Sequence, residues 1–178
     1  MLYLASAGIA DVHGPGPESV TAGAASCLWL LLPFLPLIAA LLQPLFVRDS
    51  PGRKPPGVAQ GVYATAVCLA VTVSLAVLWL GGAGRGDVKL GGAVGWGLTF
   101  RISPMGLLFA MFATGLWTLA AFFSITYLAH GHAHRRYYFY FLLSLSGTVG
   151  VFLAADLFTL FVFFELVSLG SYPLVVHE

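Results

Sequence analysis

A single carboxylate inside a bilayer-length apolar run constrains most strongly what this chain can fold into. Twenty residues separate Asp156 from His177, and Glu165 is the only charged residue among them. As an α-helix, such a run is about 30 Å long, the thickness of one bilayer core. Glu165 then lies roughly 13 Å from Asp156 and about 18 Å from His177. An ionised group at that depth costs about 2.5–3.5 kcal/mol, so intramembrane carboxylates usually mark ion or proton paths.

The composition excludes a soluble fold. Only 8% of the residues are charged and 59% are hydrophobic, whereas soluble domains carry about 25% charged residues. This chain therefore has too few charged side chains for a water-facing surface, and we predict an all-α integral membrane protein of the cell membrane, surrounded by the lipid bilayer. The formal net charge of +1 gives no basis for nucleic-acid binding.

Hydropathy divides the chain into five predicted transmembrane helices, which cover residues 24–47, 58–80, 103–129, 137–154 and 157–176. Pro33 and Pro36 predict a kink in the first of these helices. We divide the chain into three parts: a tail over 1–23, three leading helices over 24–129 that include a glycine-rich loop at 81–102, and residues 130–178 with a His/Arg turn and the last two helices.

Basic residues in the loops predict the orientation. One side of the membrane receives five of them and the other side three: Arg48, Arg53, Lys54, Arg135 and Arg136 against Arg85, Lys89 and Arg101. This bias favours an extracytoplasmic N-terminus and a cytoplasmic chain end. Loop 81–102 is then extracytoplasmic, and the alternation over 97–102 predicts an extended cap or hairpin.

Small residues recur at every fourth position in the second and fourth predicted helices, at Ala66, Ala70 and Ser74 and at Ser146, Gly150 and Ala154. Such stripes let helix backbones approach closely, and they are also common in generic bundle packing. Both interpretations place these helices against protein neighbours.

Glu165 shares one helix face with Phe158, Phe161, Ser168 and Tyr172. Burial disfavours the carboxylate and a nearby cation favours it, so a group balanced between the two takes up and releases protons. The phenylalanines would keep one side of the face dry, and the Ser168 and Tyr172 hydroxyls would extend a proton path towards the cytoplasm. The alternative is a protonated Glu165 that donates a hydrogen bond to a neighbouring helix.

The counter-charge of Glu165 is missing from the predicted helices. The only lysines are Lys54 and Lys89, both in loops. The partner must come from water, a histidine at a helix end, another subunit, or sequence beyond residue 178. Asp156 is expected either to cap the last helix or to take up ions at its outer end. His177 is expected either to help a proton leave or to be solvated.

No residue pattern predicts catalysis or a cofactor. His130, His132 and His134 lie beside two arginines; we interpret them as a membrane-surface anchor, with a metal or proton-collecting role as the alternative. No carboxylate or cysteine completes a metal site there. Cys27 and Cys68 are interpreted as small hydrophobic residues, with a bridged or metal-binding pair as the alternative. We expect no catalytic residue, no cofactor and no metal.

Several segments resemble the antiporter-like, proton-pumping subunits of NADH–quinone oxidoreductase, Mrp-type sodium/proton antiporters and membrane-bound hydrogenases. The segment 154–172, Ala-Ala-Asp-Leu-Phe-Thr-Leu-Phe-Val-Phe-Phe-Glu-Leu-Val-Ser-Leu-Gly-Ser-Tyr, resembles their fifth transmembrane helix. Residues 135–150 are similar to the fourth helix, residues 103–109 to the start of the third, and the proline-rich first span fits as well. The finer residue pattern of these segments is closer to that of the Mrp-type antiporter and hydrogenase subunits than to that of the NADH–quinone oxidoreductase subunits.

This resemblance implies a role for Glu165, and it implies that the chain works together with other segments or subunits. In that family the glutamate matching Glu165 is the proton-path carboxylate, coupled to a lysine two helices further on, within two inverted repeats. The chain holds three leading helices and the first two helices of one repeat. We therefore expect a proton or sodium/proton translocating subunit, or part of one, within a complex whose other segments supply the lysine. The alternatives are a structural or assembly subunit without a proton path and a homo-oligomeric ion carrier.

Overall fold

A computed structural model describes residues 31–46, 58–81, 88–94, 97–127 and 134–176. These ranges contain five helices and one hairpin: α1 (Phe34–Phe46), α2 (Val58–Leu80), β1 (Val88–Val94), β2 (Leu98–Ile102), α3 (Pro104–Tyr127), α4 (His134–Leu153) and α5 (Leu157–Val175). The prediction of an all-α membrane protein with five helices is confirmed.

Three of the described helices, α2, α3 and α5, are long and apolar enough to cross a membrane on length and composition alone. Helix α1 has thirteen residues; the earlier part of its predicted span lies outside the described residues. Pro33 precedes α1 and Pro36 lies in its first turn, where proline is well tolerated. The two prolines therefore lie at the start of the described helix, and the kink predicted for the longer span stays a prediction.

Helix α4 is the centre of the bundle and contacts the other four helices as well as β2. Its buried residues lie around the whole helix circumference and include Phe141, Leu142, Ser144, Leu145, Ser146 and Val149. We call the end of the bundle where α4 begins, with Arg135 and Arg136, the arginine end. The opposite end, which carries the β-hairpin, is called the hairpin end.

The predicted hairpin is confirmed, and it closes one end of the bundle. Strands β1 and β2 pair antiparallel, and Gly97 has a φ of 75° in the turn between them, a conformation that favours glycine. Phe100 of β2 contacts Phe34 of α1 and Phe163 of α5, with ring centroids 6.0 and 5.6 Å apart. The Ala155 N–H donates to the Thr99 carbonyl at 3.0 Å. The hairpin therefore fixes the turn between α4 and α5.

The two stripes of small residues behave differently. Gly150 lies against the ring of Phe163, so that a Cβ at this position would overlap the ring, and Ser146 donates to the Pro33 carbonyl at 2.6 Å. The α4 stripe therefore permits close packing, as predicted. In α2, Ala66 and Ala70 are not buried in the described bundle, so the expected close protein contact of this stripe is not formed by the described residues.

Candidate functional site

The rotation of helix α5 is set by its packing against α4. The buried residues of α5 are Thr159, Phe163 and Gly170, which fall on one helix face. Thr159 is fixed further because its hydroxyl accepts a hydrogen bond from the Thr99 N–H at 2.9 Å. These contacts turn the opposite face of α5 away from the bundle.

Glu165 lies on this outward face, close to the middle of the helix. It is eight residues from Leu157 and ten from Val175, or about 12 and 15 Å from the two helix ends. The neighbouring side chains on this face are also exposed: Phe158 by 58%, Phe161 by 59% and Tyr172 by 71%. We call the outward residues Phe158, Phe161, Glu165, Ser168 and Tyr172 the Glu165 face.

Within the described part of the chain, no group from another helix or from the hairpin forms a hydrogen bond or an ion pair with the Glu165 carboxyl. Arg101 belongs to the hairpin, and Arg135 and Arg136 lie in the first turn of α4, so no described helix places an arginine or lysine at the depth of Glu165. The Glu165 face is therefore an uncovered polar site in an apolar surface.

The other predicted path residues occupy separate positions. The Ser168 hydroxyl donates to the Phe164 carbonyl of its own helix at 3.1 Å. Tyr172 lies one turn beyond Ser168 on the same face. His177 lies outside the described residues, as do His130 and His132. The described residues contain no group of three or more metal-ligating side chains, and Cys68 is a buried free thiol in the apolar core.

Asp156 caps helix α5. Its carboxylate accepts a hydrogen bond from the Thr159 N–H at 2.8 Å, which satisfies one of the unpaired donors of the first helical turn. The hydrogen bonds to the side chain and backbone of Thr159 lower the pKa of the Asp156 carboxyl from its ordinary value. The capping role expected from the sequence is confirmed, and ion uptake by Asp156 stays a prediction.

Three polar residues of the core were not predicted from the sequence. Gln43 in α1, Gln60 in α2 and Tyr138 in α4 are all buried near the arginine end. A glutamine within an apolar span, immediately before Pro44, is the signal that would have indicated a buried polar site. Hydropathy averages over such single residues, so it does not reveal them.

The fold and the outward carboxylate define a class: an all-α, multi-pass membrane protein with an ionisable side chain at mid-span. No family model matches the chain. It is 35% identical over 86 residues to the A subunit of the Na⁺/H⁺ antiporter of Alkalihalophilus pseudofirmus, which covers 48% of this chain and 11% of that protein. The A1 subunit of the Na⁺/H⁺ antiporter of Staphylococcus haemolyticus is 30% identical over 82 residues, covering 46% of this chain and 10% of the relative.

The chain is also 31% identical over 81 residues to the A1 subunit of the Na⁺/H⁺ antiporter of Staphylococcus aureus, and this match covers 46% of this chain and 10% of that protein. The resemblance to antiporter-like subunits is therefore confirmed, and these three relatives are all of the sodium/proton antiporter type. The matched part is about half of this chain and about a tenth of the length of these curated relatives.

Proposed function

We propose that this chain is a translocating part of a membrane ion-transport subunit of the sodium/proton antiporter kind, with Glu165 as its proton-path carboxylate. One observation carries the proposal: Glu165 lies at mid-span on a face of α5 that the described bundle leaves uncovered. The similarity to the A and A1 subunits of sodium/proton antiporters supports it independently.

Lipid is a poor environment for the Glu165 face. An ionised carboxylate in contact with hydrocarbon at this depth costs about 2.5–3.5 kcal/mol or more. In the functional protein this face is therefore covered by further protein, from another segment or another subunit. A helix that covers it with a lysine would balance the desolvation of Glu165 and let the proton occupancy follow movements of the lysine charge.

The remaining residues of the face have supporting roles in this proposal. Phe158 and Phe161 lie between Glu165 and the hairpin end and keep water from that side. Ser168 and Tyr172 lie between Glu165 and the end of α5, where His177 follows. Once the face is covered, their hydroxyls can carry hydrogen bonds between the carboxylate and water at the arginine end.

The test is transport by everted membrane vesicles that contain the complete complex, with a pH-sensitive dye as the readout. Glu165→Gln keeps the size and hydrogen-bonding ability of the side chain but removes proton release, so we expect loss of at least nine-tenths of the transport rate. Glu165→Asp keeps the carboxylate and should retain a measurable rate with an altered pH profile. Leu160→Val, on the same helix but off the Glu165 face, is the matched control and should transport normally.

Assembly is measured on the same membranes by native gel electrophoresis. Glu165→Gln should leave the complex intact, because an amide can still hydrogen-bond to a covering helix. Unchanged transport in Glu165→Gln would contradict the proposal and favour a structural subunit in which Glu165 serves only as a hydrogen-bond donor. Purification as a homo-oligomer without other subunits would instead favour an independent carrier.

A further inference from the structure

A second polar site lies inside the bundle at the arginine end, away from the Glu165 face. Gln43, Gln60 and Tyr138 come from three different helices, and each is only 1% exposed. None of the three belongs to α5, so the cluster is separate from the proposed proton-path carboxylate. No role assigned to Glu165 explains why two amides and a phenol are buried here.

Two contacts place these side chains at the same depth. The Tyr63 hydroxyl donates to the Ala39 carbonyl at 3.0 Å and joins α2 to α1. Gln43 lies four residues beyond Ala39, and Gln60 lies three residues before Tyr63, so they are displaced about 6 and 4.5 Å from this contact towards the arginine end.

Tyr138 reaches the same level from α4. Its side chain lies against Gly61, where an added Cβ would be only 2.7 Å from the Tyr138 hydroxyl. Gly61 directly follows Gln60 in α2. The absence of a side chain at Gly61 therefore lets the phenol enter the space between the helices and brings α4 to the polar cluster.

Several hydrogen-bonding groups of this cluster lack a protein partner. Among the described residues, none hydrogen-bonds to Gln43 Nε2, to Gln43 Oε1 or to the Tyr138 hydroxyl. Pro44 lies inside α1 and has no N–H, so the carbonyl of the fully buried Ala40 also loses its usual helical donor. Native proteins satisfy nearly all such buried groups, and ordered water is a common partner.

We propose that one or more internal water molecules occupy this cluster and bridge Gln43 to Tyr138. The chemistry selects water because Gln43 lacks both a donor for Oε1 and an acceptor for Nε2, and water both donates and accepts. A sodium ion would bind only the oxygens and leave Nε2 unsatisfied. Buried water typically makes about three hydrogen bonds to such groups, and it also satisfies carbonyls freed by proline in membrane helices.

Radiolytic hydroxyl-radical labelling with mass spectrometry tests the proposal on the full chain in its native complex, because radicals formed from a bound water modify the side chains next to it. We expect Tyr138 to be labelled at least tenfold faster than Phe163, an aromatic residue that is nearly as buried. Gln43→Leu removes the polar partner and should reduce Tyr138 labelling at least fivefold. Gln43→Met serves the same purpose if the leucine variant does not fold.

Ser146→Ala is the matched control, because Ser146 is also a buried polar residue of α4 but donates to the Pro33 carbonyl. It should leave Tyr138 labelling unchanged. Labelling of Tyr138 at the rate of Phe163, or equal labelling in wild type and Gln43→Leu, overturns the proposal. So does a melting temperature that rises in sodium chloride relative to choline chloride in the wild type but not in Gln43→Leu, because that result identifies a sodium site.

Discussion

Phe100 is predicted to be a main anchor of the hairpin and of helix α5. Its side chain is 3% exposed, and its ring meets those of Phe34 and Phe163 at 6.0 and 5.6 Å in edge-to-face arrangements. Replacing a buried phenylalanine by alanine typically costs about 3–5 kcal/mol. We therefore expect Phe100→Ala to shift the unfolding equilibrium by roughly 150- to 5,000-fold.

A second substitution separates the ring contacts from simple burial. Phe100→Leu keeps most of the apolar volume but loses two aromatic pairs, each of which contributes about 0.5–1.5 kcal/mol beyond burial. The expected cost is therefore about 1–3 kcal/mol, smaller than that of Phe100→Ala. This ordering follows from the geometry of the three rings.

The assay is unfolding in mixed detergent micelles with increasing sodium dodecyl sulfate, followed by circular dichroism. Phe112→Ala is the matched control, because Phe112 is 66% exposed on α3 and its loss should change the unfolding free energy by no more than about 0.5 kcal/mol. A cost of Phe100→Ala no greater than that of Phe112→Ala would falsify the idea that the hairpin holds α5 in place.

Two further predictions concern the packing of α4 on α5 and the cap of α5. Gly150→Ala should lower the melting temperature in detergent, because the new Cβ overlaps Phe163. Gly115→Ala in α3 is the control and should raise the melting temperature slightly, because nothing lies within 4 Å of a Cβ there and alanine favours the helix. Equal effects of the two substitutions would contradict this packing. The pKa of Asp156 is lowered in the folded state, so its carboxylate contributes stability above the unfolded value of about 3.9 that is lost as the pH falls through the folded value. Asp156→Asn keeps the cap and should flatten melting temperature against pH below about pH 4; an unchanged acid profile would argue against this linkage.

Hydropathy predicts the helices of this fold well because it measures the property that the bilayer selects. The span expected at 103–129 forms Pro104–Tyr127, and the span expected at 157–176 forms Leu157–Val175. Helix α4 begins at His134, three residues before the predicted start, because a helix can carry Arg135 and Arg136 at a membrane surface that a hydropathy window excludes. The alternation of residues 97–102 indicates the extended segment that forms β2 of the hairpin.

Sequence patterns say much less about which helix faces are covered. Periodicity places Glu165, Ser168 and Tyr172 on one face, but the outward direction of that face depends on how Phe163 and Gly170 pack against α4. The stripe at Ala66 and Ala70 likewise has the pattern of a packed surface, yet the described bundle does not bury it. Which helix face is covered depends on contacts between segments that are distant in the sequence. Hydropathy and periodicity describe one segment at a time and give no information on such contacts.

The central position of α4 has a consequence for how the protein is made. Among the described helices it is enclosed by the other four, yet it is not among the three that are apolar enough to cross a membrane by length and composition. Its arginines, tyrosines, serines and glycines suit protein contacts better than lipid. During biosynthesis, α4 should therefore leave the translocon together with α3 or α5 and not as a separate segment. The helix that organises the finished bundle is the one that most depends on its neighbours for membrane insertion.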